Sequence, residues 1–338
     1  MKNAPFHKRI LSLCLVLTLF EGASQGGGVN KKLAEVLKES QPKEVLEHFQ
    51  RDYVLLKKGV FEFENDFQFT YNSANQIFLD SFAILDPVFL TLGQFGIESI
   101  KRQIIGDVIL LRYGIADFLQ AEFAVPLIYR HDQRAKVETN KEDLVDEWGV
   151  GDVTFTISDQ IYRETLNRPA VILNLSFKSK TGQGPYDIDP KNELPLGTGY
   201  YSIKAGVNLI KSIDPSVVFG GISYSYNIDQ DVDMMVNGKH LEKVEPGDTI
   251  TLNAGFGYAI SYNFSVNAQF QYDYTLSSYS TVDGNRTKVA NSTLNVAQLK
   301  IGAGWALSKD RAVNVSLGIG LTSDSPDFVL EVRTPFKL

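Results

Sequence analysis

The chain has 338 residues with 33 Lys and Arg against 40 Asp and Glu, an acidic balance that argues against nucleic acid as a partner. Its one cysteine, Cys14, excludes a disulfide framework. Beyond the first 25 residues no stretch is long and apolar enough for a transmembrane helix, and the mean hydropathy of −0.10 is what alternating apolar and polar residues average to.

Lys2, Lys8 and Arg9 form a basic start, Ile10–Phe20 an apolar run, and Gly22-Ala23-Ser24 a small-residue cleavage site. That pattern is a secretory signal peptide over residues 1–25, too short to span a bilayer. Leu13 precedes Cys14 where a lipoprotein signal needs Gly or Ala, so lipidation is rejected and the exported chain carries no thiol. From residue 26 onward 30 basic residues face 39 acidic ones, a net charge of −9. Gly26–Gly28 is a flexible leader, and from Asn30 to Leu56 the period turns helical, with Leu33, Val36, Leu37, Val45, Leu46 and Phe49 as the apolar stripe. Pro42 divides it into two short helices. Residues 26–58 are therefore expected to be a small helical segment ahead of a sheet.

At Phe61 the rhythm changes to two. Phe61, Phe63, Phe67, Phe69 and Tyr71 share one parity, and Glu62, Glu64, Asp66, Gln68 and Thr70 the other, so a strand here has one apolar and one polar face. Asn65 breaks the apolar row, which implies a bulge or a wetter neighbour. The same rhythm gives twelve strands, near 59–72, 94–113, 118–130, 152–163, 169–180, 199–211, 215–228, 248–261, 263–277, 293–306, 311–322 and 327–338. Short turns fall at Gly114–Asp117, Glu164–Arg168, Ser212–Pro215, Tyr262 and Lys309–Asp310. Long polar loops fall near 73–93, 131–151, 181–198, 229–247 and 278–292, and Ile77–Leu92 belongs either to the second strand or to the loop before it.

Strand length separates membrane from soluble readings. Most runs have 11 to 14 residues, whereas strands of soluble proteins centre on about five or six and a tilted membrane strand needs about nine to eleven. The apolar sets are continuous, as in Val171, Leu173, Leu175, Phe177 and in Ile250, Leu252, Ala254, Phe256, Tyr258, Ile260, while Thr249, Thr251, Asn253, Gly255 and Gly257 oppose the latter. Tyrosines gather at strand ends as an interfacial girdle requires. The fold class expected is all-β: a closed antiparallel transmembrane β-barrel of about twelve strands over residues 59–338, with an N-terminal helical segment. Short connections at one end and long ones at the other place both termini on the periplasmic side of the outer membrane of a Gram-negative bacterium.

Several short runs resemble a known family. Arg112-Tyr113-Gly114-Ile115-Ala116-Asp117, Pro126-Leu127-Ile128-Tyr129, Gly149-Val150-Gly151-Asp152-Val153, Pro169, Lys180-Thr181-Gly182 and Gly197 to Gly206 look like the outer-membrane transporter family labelled "MetA-pathway of phenol degradation". That family more often shows Pro-Thr-Gly where this chain has Lys180-Thr181-Gly182. The helical leader is also similar to that of porins that export functional-amyloid subunits. The resemblance implies a passive outer-membrane conduit, and the function expected is a channel or porin for small, hydrophobic or aromatic solutes. The alternatives are a secretion porin exporting an unfolded polypeptide, and a structural surface barrel with a filled lumen.

Enzyme chemistry is not expected. Past the signal the histidines are His48, His131 and His240, none in a strand wall beside a serine. Asn227, Asp229, Asp231 and Asp233 have the spacing of a calcium loop, but Met234 stands where that loop needs Gly and His240 where it needs Glu. No metal and no cofactor are expected. Asn263, Asn285 and Asn291 head glycosylation sequons of the kind that occur by chance.

The lumen carries the remaining chemistry. By parity Glu62, Glu64 and Asp66 line it from the first strand, and Lys178, Lys180 and Lys204 from the fifth and sixth, giving either a transverse field or mutually neutralised wall residues. The partners expected are outer-membrane lipid, the barrel-assembly machinery, which here meets a terminal Leu338 in place of an aromatic residue, and the solutes or exported polypeptide. The leader's stripe needs a surface, either the periplasmic mouth or another copy of itself in a homo-oligomer; the alternative is a loosely ordered tether, since Pro42 keeps each helix short.

Overall fold

The computed structural model describes residues 54–73, 97–136, 142–189, 192–236 and 238–338. The signal peptide, the helical leader up to residue 53 and all of Ile77–Leu92 lie outside the described residues.

Alternation of side chains produces long paired strands here, because a closed sheet leaves no backbone edge unpaired in a bilayer. In chain order the first eight strands are β1 (Phe61–Asn72), β2 (Ile97–Ala116), β3 (Leu119–Lys136), β4 (Glu142–Val150), β5 (Thr154–Tyr162), β6 (Ala170–Lys178), β7 (Ser202–Ile213) and β8 (Ser216–Asn227). They are followed by β9 (Gln230–Val236), β10 (Lys239–Glu245), β11 (Thr249–Ala259), β12 (Phe264–Thr275), β13 (Tyr279–Val282), β14 (Asn285–Lys288), β15 (Leu294–Ala306), β16 (Ala312–Gly320) and β17 (Phe328–Lys337). Twelve of these close an antiparallel barrel in the order β1-β2-β3-β5-β6-β7-β8-β11-β12-β15-β16-β17 and back to β1. The seam runs from Glu62 opposite Lys337 to Tyr71 opposite Phe328, and the Leu338 N–H donates to the Phe61 carbonyl at 2.8 Å.

The faces follow the two-residue rhythm. Leu175, Ile222 and Phe256 are 55%, 53% and 52% exposed on the outer wall, whereas Glu64 and Asp66 are 2% and 1% exposed within. Asn65 makes no bulge, because the register of β1 is unbroken on both sides. Its neighbour is polar instead, and Asn65 Nδ2 donates to Asp107 Oδ1 at 2.5 Å.

Three stretches expected as loops contain strands. The stretch 131–151 extends β3 to Lys136 and forms β4, which pairs with the upper part of β3 from Leu127 opposite Val150 to Ala135 opposite Glu142. β5 pairs with the lower part of the same strand, from Leu119 opposite Asp159 to Ala124 opposite Thr154. The chain leaves the ladder between them at Gly151–Val153. The loops near 229–247 and 278–292 form a four-stranded sheet in the order β14-β13-β10-β9. Its small core is Leu241 and Val244, with Tyr186, Val232 and Val282 packed against them.

Candidate functional site

The acidic row of β1 is met from next door. Arg112 on β2 donates from Nη1 to Glu62 Oε1 at 2.5 Å, from Nη2 to Gln120 Oε1 at 3.2 Å and to the Val54 carbonyl at 3.0 Å, with its Nε 3.6 Å from Glu122 Oε2. On the other flank, Asp66 stands opposite Arg333 and Glu62 opposite Lys337 across the seam. Adjacent opposite charges on one barrel wall neutralise each other locally, which keeps three buried carboxylates tolerable.

The lysines named from the sequence occupy three different places. Lys178, at the end of β6, lies 3.5 Å from Asp152 Oδ2, bonds Thr198 Oγ1 and sits 4.4 Å from the centre of the buried Tyr200 ring. Lys180 is past the end of β6, donates to Gln230 Oε1 at 2.9 Å and lies 5.4 Å from the Tyr201 ring. Lys204 stands between Ser176 and Ser225 on the inner face of β7, exposed and without an ion pair among the described residues. His131 and His240 bond carboxylates, Asp146 at 2.5 Å and Asp233 at 2.6 Å.

A second charge cluster was not singled out from the sequence. Arg102 Nε and Nη2 hold Asp132 at 2.8 and 2.7 Å, and Arg130 holds the same carboxylate from Nε at 3.2 Å and Nη2 at 3.0 Å. All three are almost fully buried. Arg130 also donates from Nη1 to the Pro195 carbonyl at 3.0 Å, which ties the inner face of β3 to the connection between β6 and β7.

That connection folds against the inside of the wall. Leu196 packs on Ile104 and Ile128, which are inward residues of β2 and β3, and Leu194 is fully buried. Asp152, in the break between β4 and β5, holds both limbs of it. Oδ1 accepts the Gly182 N–H at 3.1 Å, and Oδ2 accepts the Thr198 N–H at 2.8 Å and its hydroxyl at 2.7 Å. The limbs touch at Gly182 and Gly197, where a Cβ on Gly197 would lie 2.6 Å from Asp152 Oδ1 and 2.8 Å from Gly182 Cα, so no larger residue fits. Gly149-Val150-Gly151-Asp152-Val153 and Lys180-Thr181-Gly182 thus meet in space as one fastening. The spacing of those runs was the only sequence signal for it.

The inner face beside this loop is unusually apolar. β2 presents Ile104, Val108 and Leu110 inward, and β3 presents Ala124, Pro126 and Ile128. Barrel interiors are otherwise polar, so a six-residue apolar stripe in contact with Leu196 is a feature with a chemical preference.

Comparison with known proteins agrees with this architecture. An outer membrane channel from Pseudomonas putida F1 superposes with a TM-score of 0.62 at 15% identity, over 85% of this chain and 98% of that one. The translocator domain of the Neisseria meningitidis autotransporter NalP gives 0.48 at 9% identity, over 90% and 97%. The Pseudomonas putida toluene transporter TodX gives 0.39 at 11% identity, over 83% and 89%. At these identities the first likeness speaks for the fold and the other two are matches without further weight. The family model for the MetA-pathway of phenol degradation matches residues 91–337, most of the chain and nearly all of the barrel. With that match laid over a closed twelve-stranded wall and a fastened inward loop, this chain belongs to the outer-membrane β-barrel family called MetA-pathway of phenol degradation.

Proposed function

We propose that this protein is a passive outer-membrane channel for small hydrophobic or aromatic solutes, and that the loop between β6 and β7 narrows the path along the inner faces of β2 and β3. The observation that carries the reading is the inward apolar stripe, Ile104, Val108, Leu110, Ala124, Pro126 and Ile128, all but Ala124 buried, with Leu196 packed on Ile104 and Ile128. An uncharged ring gains little from a water-filled, fully polar lumen, whereas an apolar stripe lets it shed water while the paired charges elsewhere keep the remaining path wet. Glu62, Glu64, Asp66, Lys178 and Lys204 would line the polar side, with Lys180 at the mouth. No described residue favours the secretion-porin or filled-barrel alternatives.

The test is flux of a monocyclic aromatic compound into liposomes carrying the full-length protein, with ion conductance measured in parallel. Ile104→Asn and Ile128→Asn should each lower aromatic flux about tenfold at low solute concentration, since one aliphatic side chain carries ~1.5–3 kcal/mol of transfer free energy. Ion conductance should stay within about twofold, because the lumen is not closed by either change. Aromatic flux equal to that of protein-free liposomes would remove the proposal.

A further inference from the structure

The outer wall contains a polar patch where a lipid-facing surface should have none. Asn65 and Asp107 have the outward parity of Phe63, Phe67, Leu111 and Leu127, and their side chains bond each other diagonally across β1 and β2 at 2.5 Å. Thr334, opposite Asn65 on β17, donates from Oγ1 to the Asn65 carbonyl at 3.3 Å. The patch is not at an interface of the membrane. Along β1 it is bracketed by Phe63 and Phe67, and along β2 by Ile105 and Ile109, with Tyr113 and Gln103 further out on either side.

We propose that this patch is the centre of an interface between two copies of the chain, packed wall to wall about a two-fold axis along the membrane normal. Hydrocarbon gives an amide and a carboxylate no hydrogen-bond partner, so exposing them there is costly and a polar neighbour relieves it. The pair is self-complementary. The Asn65 amide has a second N–H and the Asp107 carboxylate a second oxygen, and neither side chain has another partner among the described residues. A two-fold axis sets each amide against the other copy's carboxylate, so two symmetry-related hydrogen bonds satisfy all four groups. The small exposed Thr334 lets the walls approach, and Phe63 and Phe67 supply the apolar rim.

The experiment uses the full-length chain with Cys14→Ser, oxidised in native outer membranes. Thr334→Cys should give a disulfide-linked dimer. Ile222→Cys, outward on β8 five strands from β17 on the opposite wall, should not. Adding Asn65→Leu with Asp107→Leu should abolish the Thr334→Cys cross-link and turn a two-copy mass in native mass spectrometry into one. If that double variant inserts poorly, Asn65→Asp, which removes the donor and adds charge, should have the same effect. Insertion itself is followed by heat-modifiable gel migration, so failure of the membrane placement is distinguishable from failure of pairing. A monomeric Thr334→Cys protein, equal cross-linking at both positions, or a cross-link that survives the substitutions would overturn the interface.

Discussion

Phe256 and Asn253 lie three residues apart on β11 and meet opposite media, because an odd separation on a strand reverses the face. Phe256 is 52% exposed on the outer wall beside Val218 and Ala268, while Asn253 stands inward between Gly221 and Gln271. Arginine at the first position must enter hydrocarbon, and at the second it enters a polar interior. Phe256→Arg should therefore cost about 2–4 kcal/mol of folding free energy in lipid, and Asn253→Arg less than about 1. Urea titration of the refolded protein in bilayers measures both, and equal costs would reverse the assignment of faces. The same parity predicted inward Glu62, Glu64 and Asp66 from the sequence, since a run of five aromatic residues on one phase leaves no other arrangement. What made Asn65 legible as an exception, but not as half of a pair, is that Asp107 is 42 residues away and only register brings them together.

Among the elements, His240 near the start of β10 links three parts of the four-stranded sheet. Its Nε2 meets Asp233 of β9 at 2.6 Å, its Nδ1 lies 3.7 Å from Glu242, and its backbone N–H donates to Asp283 in the β13–β14 turn. The bond to Asp233 above all, with Glu242 and Asp283 adding attraction, raises the imidazole above its ordinary value. A group raised in the folded state stabilises most at a pH below its unfolded value, and that contribution is lost as pH rises through the raised value. The β9–β10 hairpin should thus exchange its amides faster as pH climbs through and above the ordinary histidine range, after correction for intrinsic exchange. In Asp233→Asn the pH step should shrink, and an unchanged step there would unlink it from this pair. The sheet itself shows why part of the fold was hidden. The twelve barrel strands were legible because each has one face in lipid, which forces continuous alternation. β4 was not, since it pairs on one edge only and its outward row mixes Leu144 and Asp146 with Trp148 at 80% exposure. For β13 and β14 a signal existed: Asp283-Gly284, at φ 48° and 75°, is the dipeptide that two-residue hairpins need. The Asp152 fastening was half legible, as conspicuous glycines whose meeting depends on a loop folding inward, which no local pattern encodes.

For the molecule as a whole, charge placement decides how the interior treats ions. The acidic row of β1 lies between β2 and β17, which carry Arg112 and Arg333, and Arg112 is already bonded to Glu62. Lys204 is different, exposed on the inner face of β7 without an ion pair among the described residues. A paired charge projects mainly a dipole into the lumen, whereas an unpaired one projects its full field, screened only by salt. Substituting Glu62→Gln, Glu64→Gln and Asp66→Asn together should remove three negative charges beside Arg112 and Arg333, which keep only Glu122 and Glu331, and move selectivity toward anions. Lys204→Met should move it toward cations, with a larger shift per charge removed than the triple variant shows. Both shifts should be larger at about 0.01 M salt, where the screening length is about 30 Å, than at 1 M, where it is about 3 Å. Reversal potentials across planar bilayers under a salt gradient measure this directly. The single surface-exposed substitution leaves the buried network intact, so it reports even if the triple variant inserts poorly. A reversal potential unmoved by Lys204→Met at low salt would mean that ions do not pass the inner face of β7, and would confine the conducting path to the side of the barrel where the inward loop meets β2 and β3.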